Sequence, residues 1–240
     1  MRYFIELAYD GTRYGGFQIQ DNTNTVQAEM EKAFFTLYRQ PFALTGSSRT
    51  DAGVHALQNY FHVDTEVAIE PKHQYNLNAI LPNDIAIKSI KAVATDAHCR
   101  FLATHRTYYY FIYQEKNPFI KTTAWFYPYP VDMDLLNKAA SIIMEYHDFT
   151  SFSKKNTQAK TKICSIMQSY WQVKDDRIIY TVKANRFLRG MVRGLVGTML
   201  QVGRGKIYLE AFRKIIEAED CSLAHFDTPA HGLFLAEVGY

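Results

Sequence analysis

An arginine stands two residues ahead of an aspartate in the run Gly46-Ser47-Ser48-Arg49-Thr50-Asp51-Ala52-Gly53-Val54-His55-Ala56. Small residues flank the pair on both sides, and a loop of that composition fills a core poorly but brings backbone close to a ligand. An opposite charge within a few ångströms favours an ionised carboxylate, so Arg49 can hold Asp51 charged and aimed. A poised carboxylate with open space before it is a candidate nucleophile or general base. The competing reading is an Asx-type turn in which Asp51 caps a helix or bonds its own backbone. His55 and His62 read as packing or loop-fixing histidines.

A second set of charged residues falls in Arg186–Val202, which reads as one long helix. At 100° per residue, Arg186, Arg189 and Arg193 share an arc of roughly 60° on an otherwise apolar helix. Three arginines on so narrow a face are costly to bury unless each meets an anion. The face therefore either lines a cleft, with Arg193 meeting Asp51 or a phosphate, or is a solvated basic surface.

Other chemistries find no support in the 240 residues. Cys99, Cys164 and Cys221 lie far apart in no metal-binding spacing and read as reduced thiols. There is no Gly-rich phosphate loop and no His-Glu-x-x-His pattern, so neither a cofactor nor a metal is expected. A two-carboxylate hydrolase would want a second acid near Asp51, and the Gly46–Ala56 loop has none. With 48% apolar and 21% charged residues, no membrane-length apolar run and no signal-like stretch in residues 1–20, the chain reads as cytoplasmic. The net charge of +3 hides an asymmetry. Lys154–Lys206 holds twelve Lys/Arg against Asp175 and Asp176, whereas Ile207–Tyr240 holds two basic and six acidic residues. Such a division suggests a basic surface for a polyanion, with Phe152, Tyr170 and Trp171 nearby to stack on bases.

These residues must be positioned by an α+β scaffold. Residues 2–9 read as a strand ended by Asp10-Gly11, and Thr25 as the N-cap of a helix near Val26–Arg39 that Pro41 stops. Strands follow near Phe42–Ser47, Gln58–Asp64 and Ile85–Ala94, with a short helix near Gln74–Ala79. In the second half, Thr107–Tyr113 reads as a strand and Asp134–Glu145 as a helix. Ile163–Lys174 and Arg177–Ala184 form a hairpin at Asp175-Asp176, and Ile207–Ala218 is a last helix. Two strand–helix–strand–strand halves, 1–103 and 104–240, suggest a duplicated, RRM-like α+β unit.

Arg49-Thr50-Asp51-Ala52-Gly53-Val54-His55 resembles the signature loop of the TruA family of tRNA pseudouridine synthases, where the Asp is catalytic. Matches follow in order along the chain. Tyr9-Asp10-Gly11-Thr12 with Gly16-Phe17-Gln18, Arg106-Thr107-Tyr108 and Asp148-Phe149-Thr150-Ser151-Phe152 resemble family elements. So do Asn185-Arg186-Phe187-Leu188, Met191-Val192-Arg193 and Gly232-Leu233-Phe234-Leu235. The resemblance implies two RRM-like halves sharing a mixed, mainly antiparallel sheet with flanking helices and a central cleft. It implies cofactor-free isomerisation of uridine in the tRNA anticodon stem-loop, at positions 38 to 40, by a homodimer. By resemblance, Arg193 pairs with Asp51 and Tyr108 stacks on the flipped uracil. RNA contacts are implied at Arg49, Arg100, Phe101, Lys116, Gln158 and Lys160, with Arg186 and Arg189 adding basic surface. A non-catalytic RNA-binding protein on the same scaffold is the alternative, against which Arg49, Asp51, Tyr108 and Arg193 together argue. Phe17, Ile19, Ser48, Gln58-Asn59 and Gly190 depart from the family pattern. They bear on the choice of tRNA position rather than on reaction type.

Overall fold

The computed structural model describes residues 1–155 and 159–240, and the chain divides into two compact units. The first comprises Met1–Thr104 with Phe234–Tyr240, the second His105–Leu233. The two contain five helices and nine strands among the described residues, an α+β arrangement in which every pairing given below is antiparallel unless stated.

In the first unit β1 (Arg2–Tyr9) alternates strictly, burying Tyr3, Ile5, Leu7 and Tyr9, the period-two pattern of a strand with one face in the core. It is followed by α1 (Val26–Tyr38), which Thr25 caps by accepting the Ala28 amide (3.3 Å), as its sequence predicts. Arg39, in the left-handed region at φ 58°, ends it ahead of Pro41. The strand expected over Phe42–Ser47 shrinks to β2 (Thr45–Gly46), because the Leu44 amide and carbonyl are bonded to Glu31 and Gln27 of α1 instead of to a strand. β3 (His55–Asp64) starts three residues earlier than its apolar run, and α2 (Pro71–Ile80) is longer than expected at both ends. β4 (Ile85–Val93) matches its predicted run almost residue for residue. β1 lies between β4 and β3, with Ile5 opposite Phe61 in one register and Ile90 in the other. Phe17 stacks on Phe61 at 4.5 Å beneath the loop that carries Asp51.

The second unit is built on β5 (His105–Tyr113), joined in parallel by the two-residue β6 (Trp125–Phe126). After α3 (Met133–Ile143) come β7 (Ile166–Lys174) and β8 (Arg177–Ala184), giving the order β5-β8-β7. Asp175 and Asp176, at φ 50° and 57°, form the hairpin turn with the two positive φ angles that type I′ requires. Asn137 locks α3 to β7, donating to the Trp171 carbonyl (3.1 Å) and accepting its amide (2.9 Å). The helix expected from Arg186 begins only at α4 (Met191–Gly203), and α5 (Leu209–Glu217) follows. Gly190 at φ 77° breaks any continuation upstream, so Arg186 and Arg189 lie outside the helix and share no face with Arg193. The last strand, β9 (Leu233–Gly239), pairs in parallel with β3 (His55 opposite Phe234), so residues 234–240 complete the first unit.

Phe34 of α1 is fully buried, 5.1 Å from the ring of Phe42. Phe34→Ala should destabilise the protein by roughly 3–5 kcal/mol. Urea unfolding followed by circular dichroism checks this, and a loss below 1 kcal/mol would mean that the site collapses around the smaller side chain.

Candidate active site

The loop bearing Asp51 is fastened on both sides of Arg49. Asn59, fully buried on β3, uses all four of its hydrogen-bonding positions there. Its Oδ1 accepts the amides of Ser48 (3.3 Å) and Tyr60 (2.8 Å), and its Nδ2 donates to the Ser48 carbonyl (2.8 Å) and the Tyr9 hydroxyl (3.2 Å). The Tyr9 hydroxyl also meets Thr50 Oγ1 at 2.7 Å. Ser47 Oγ donates to the Cys99 carbonyl (2.8 Å), and the Thr50 carbonyl accepts the Phe17 amide (3.1 Å). Beyond Asp51 the Val54 amide closes a turn onto the Asp51 carbonyl (3.2 Å), with Gly53 at φ 76°. Gly11 supports this turn from below, where any Cβ would run into the Val54 carbonyl. His55, almost fully buried and stacked on Phe234 at 4.4 Å, lies 3.1 Å from both the Gly11 amide and the Asp10 carboxylate. It fixes the loop, as its sequence context suggests.

Between these ties the two charged side chains go different ways. Arg49 is exposed and Asp51 half-buried, and among the described residues no ion pair joins them. The pairing expected from their spacing is therefore absent, because Thr50 between them is pinned by its own hydroxyl and carbonyl. The Asp51 carboxylate keeps its lone pairs for another partner.

The second unit carries the remaining candidates. Tyr108, half-buried on β5, meets the edge of Phe187 at 5.0 Å and 82°. Of the three consecutive tyrosines, Tyr110 is the core residue: it is fully buried, its hydroxyl donates to the Pro229 carbonyl (2.8 Å), and burial pushes its phenol far up. Arg193 and Thr228 hold each other reciprocally. Arg193 Nε donates to the Thr228 carbonyl (2.6 Å), and Thr228 Oγ1 donates to the Arg193 carbonyl (2.9 Å). Arg193 is thus a half-buried guanidinium with a fixed stem rather than a solvated one.

The basic segment divides by role. Arg204 lies 3.9 Å over the ring of Tyr129 and Arg177 5.8 Å from that of Phe111, so aromatic faces occupy both. Lys155, Lys160, Arg189 and Lys206 are exposed, as is Lys116, while Arg186 is half-buried. Arg100 and Phe101 are exposed in the first unit, and Gln158 lies outside the described residues.

Cys99 is not the isolated thiol that its spacing suggests. Among the described residues, His62, His98 and Cys99 bring potential ligand atoms within 4.8 Å of one another. His62 Nδ1 lies 3.1 Å from Cys99 Sγ, and His98 Nδ1 accepts the Arg100 amide (3.1 Å). Burial pushes His62 below its ordinary pKa, with His98 and Arg2 adding to the effect. His62 Nδ1 is thus engaged with the thiol and His98 Nδ1 with backbone.

Sequence reasoning missed Asn59 as a functional residue. The available signal was an amide in a strand whose neighbours Phe61 and Val63 are apolar. Asn59→Leu removes both bonds that Asn59 makes to the Ser48 amide and carbonyl, at a cost of about 1–3 kcal/mol. Amide hydrogen exchange should then accelerate from Ser47 to Val54 while α1 stays protected. Unchanged exchange in the loop would show that Asn59 does not hold it.

The chain is similar to proteins of known family along nearly all of its length. The family profile described as tRNA pseudouridine synthase matches residues 7–102 and 146–240, which include Asp51 and Arg193. Several curated proteins named tRNA pseudouridine synthase A align along the whole chain. That of Bacteroides fragilis is 46% identical over 244 residues, covering 100% of this chain and 96% of its own length. That of Parabacteroides distasonis is 44% identical over 241 residues, with the same coverage. That of Staphylococcus aureus strain MRSA252 is 37% identical over 241 residues, covering 99% of this chain and 91% of its own. With a profile match over most of its length and relatives 37–46% identical along the whole chain, the chain belongs to the tRNA pseudouridine synthase family, a family of isomerases.

Proposed function

We propose that this chain isomerises uridine to pseudouridine in the anticodon stem-loop of tRNA, at positions 38 to 40, with Asp51 as the catalytic carboxylate. The rearrangement breaks the N1–C1′ bond of uridine, turns the detached uracil and rejoins it through C5. A carboxylate serves either as nucleophile at C1′ or as base at C2′. Nothing is oxidised, and no group is transferred to another molecule. The observation that carries the reading is the half-buried Asp51 carboxylate, free of an ion pair with Arg49, in a loop clamped on both sides.

The other residues support it through their chemistry. The base must leave the stack to be reached, and a half-buried tyrosine such as Tyr108 offers a face for it. Arg193, with its Nε fixed, presents its remaining N–H groups to an anion. Lys160, Arg189, Arg100 and Lys116 are exposed cations suited to phosphates. By analogy with the family the protein acts in the cytoplasm as a homodimer on tRNA. The non-catalytic RNA-binding alternative has no observation in its favour.

Asp51→Asn preserves shape but removes the negative charge and the reactive oxygen. Release of tritium from uridine C5 in unmodified tRNA should fall below detection, while tRNA binding persists. Substantial turnover by the variant would remove Asp51 from the chemistry.

The basic surface predicts steep salt dependence of tRNA affinity, since each neutralised phosphate releases counterions. Lys160→Ala should reduce the slope of log affinity against log salt by about one unit. An unchanged slope would take Lys160 off the contact surface.

A further inference from the structure

In the second unit, residues 225–229 lie along α4 as a strap, and two glycines of the helix seat it there. A Cβ on Gly197 would run into the His225 carbonyl and the Thr228 hydroxyl, and one on Gly194 would press on the ring of Phe226. Hydrogen bonds fix the strap at both ends. The His225 amide donates to Thr198 Oγ1 (3.0 Å), which donates in turn to the Gly194 carbonyl (2.8 Å). The Pro229 carbonyl accepts the hydroxyl of fully buried Tyr110 on β5 (2.8 Å). Thr228, 1% exposed, sits between these ties.

The strap determines how Arg193 can be used. Thr228 Oγ1 donates to the Arg193 carbonyl (2.9 Å), which fixes the Thr228 backbone against the first turn of α4. In return the Thr228 carbonyl takes the Arg193 Nε–H (2.6 Å). The donors on Nη1 and Nη2 remain, and among the described residues no carboxylate pairs with them. With Nε committed, an anion can be gripped by two parallel bonds only across the Nη1–Nη2 end. The direction of approach is thereby set by a backbone carbonyl and not by charge alone. Tyr108 belongs to the same frame. Residues two apart on a strand share a face, and Tyr110 holds the strap two positions along β5 from Tyr108.

We infer that Thr228 is a positioning residue for the isomerisation. Through the strap it aims the Nη1–Nη2 end of Arg193 at an anionic group of the reaction and holds it at a set distance from Tyr108. Thr228 itself touches no reacting atom. This rests on Arg193 and Tyr108 serving the reaction proposed above, and it adds the hydroxyls of Thr228 and Tyr110 to the groups on which that reaction depends.

The test uses the full-length protein and unmodified tRNA, with single-turnover tritium release from uridine C5 as the rate. Rates are normalised to tRNA-binding sites, so any unfolded fraction drops out. Thr228→Val keeps the volume and removes the hydroxyl, and should slow release roughly 10- to 100-fold, the effect of a misplaced group. Its tRNA affinity should match wild type. Thr228→Ser keeps the hydroxyl and should restore the rate, while Tyr110→Phe should slow the same step. Arg193→Lys retains the charge but has no Nε fork, so in that background Thr228→Val should slow release no further. Independent, multiplying losses in the double variant would overturn the strap's role alone. So would a wild-type rate in Thr228→Val, equal losses in Thr228→Val and Thr228→Ser, or full turnover by Arg193→Lys. Full turnover by Arg193→Leu would overturn the reading on which it rests as well.

Discussion

One buried amide governs the first unit's chemistry. Asn59 sits where an apolar strand residue would serve packing as well, and commits both its donors and both its acceptor positions to Ser48, Tyr60 and Tyr9. In a low-dielectric interior a fully satisfied polar group is directional in a way that apolar contact is not. Its partners are correct in one loop position only, and through Tyr9 the same constraint reaches Thr50. The residues on either side of Arg49 are thus fixed by the core, and the charged side chains are left to solvent and substrate. The loop combines a tied backbone with two charged side chains that form no ion pair with each other among the described residues.

Much of this arrangement was legible in the sequence. The order of elements and the N-cap at Thr25 follow from period, composition and turn residues, which act locally. Arg49-Thr50-Asp51 was legible as a candidate site because small residues and charge stand together. What was not legible depends on distant partners. Asn59 is functional only because Ser48 and Tyr9 arrive beside it, and Cys99 gains its histidine neighbours from β3 and from the residue before it. The early helix start at Arg186 was misread because apolar spacing runs straight through Gly190, whereas the backbone there adopts φ 77°. Periodicity reports which side chains share a face, and it is blind to one residue that leaves the helical region.

That misreading alters the electrostatic picture. Three arginines on one helix face would have formed a stripe. Instead Arg193 alone stands in the first turn of α4, braced by Thr228, and Arg186 and Arg189 occupy the preceding segment. Arg177 and Arg204 are occupied by aromatic faces. The basic count of the segment therefore overstates the charge available to phosphates, which falls mainly to exposed lysines and to Arg189.

The placement of β9 bears on how the protein is made. Its partner β3 lies some 180 residues upstream in the chain, and Val238 donates its amide to Gln58 across the same span (3.0 Å). During synthesis the first unit's other strands emerge early but lack this one until the whole second unit has been translated. Contacts so distant in sequence carry the loop-closure cost that slows folding. The nascent first unit must wait with an unpaired strand edge open to other chains, a condition in which holding by a chaperone is of most use.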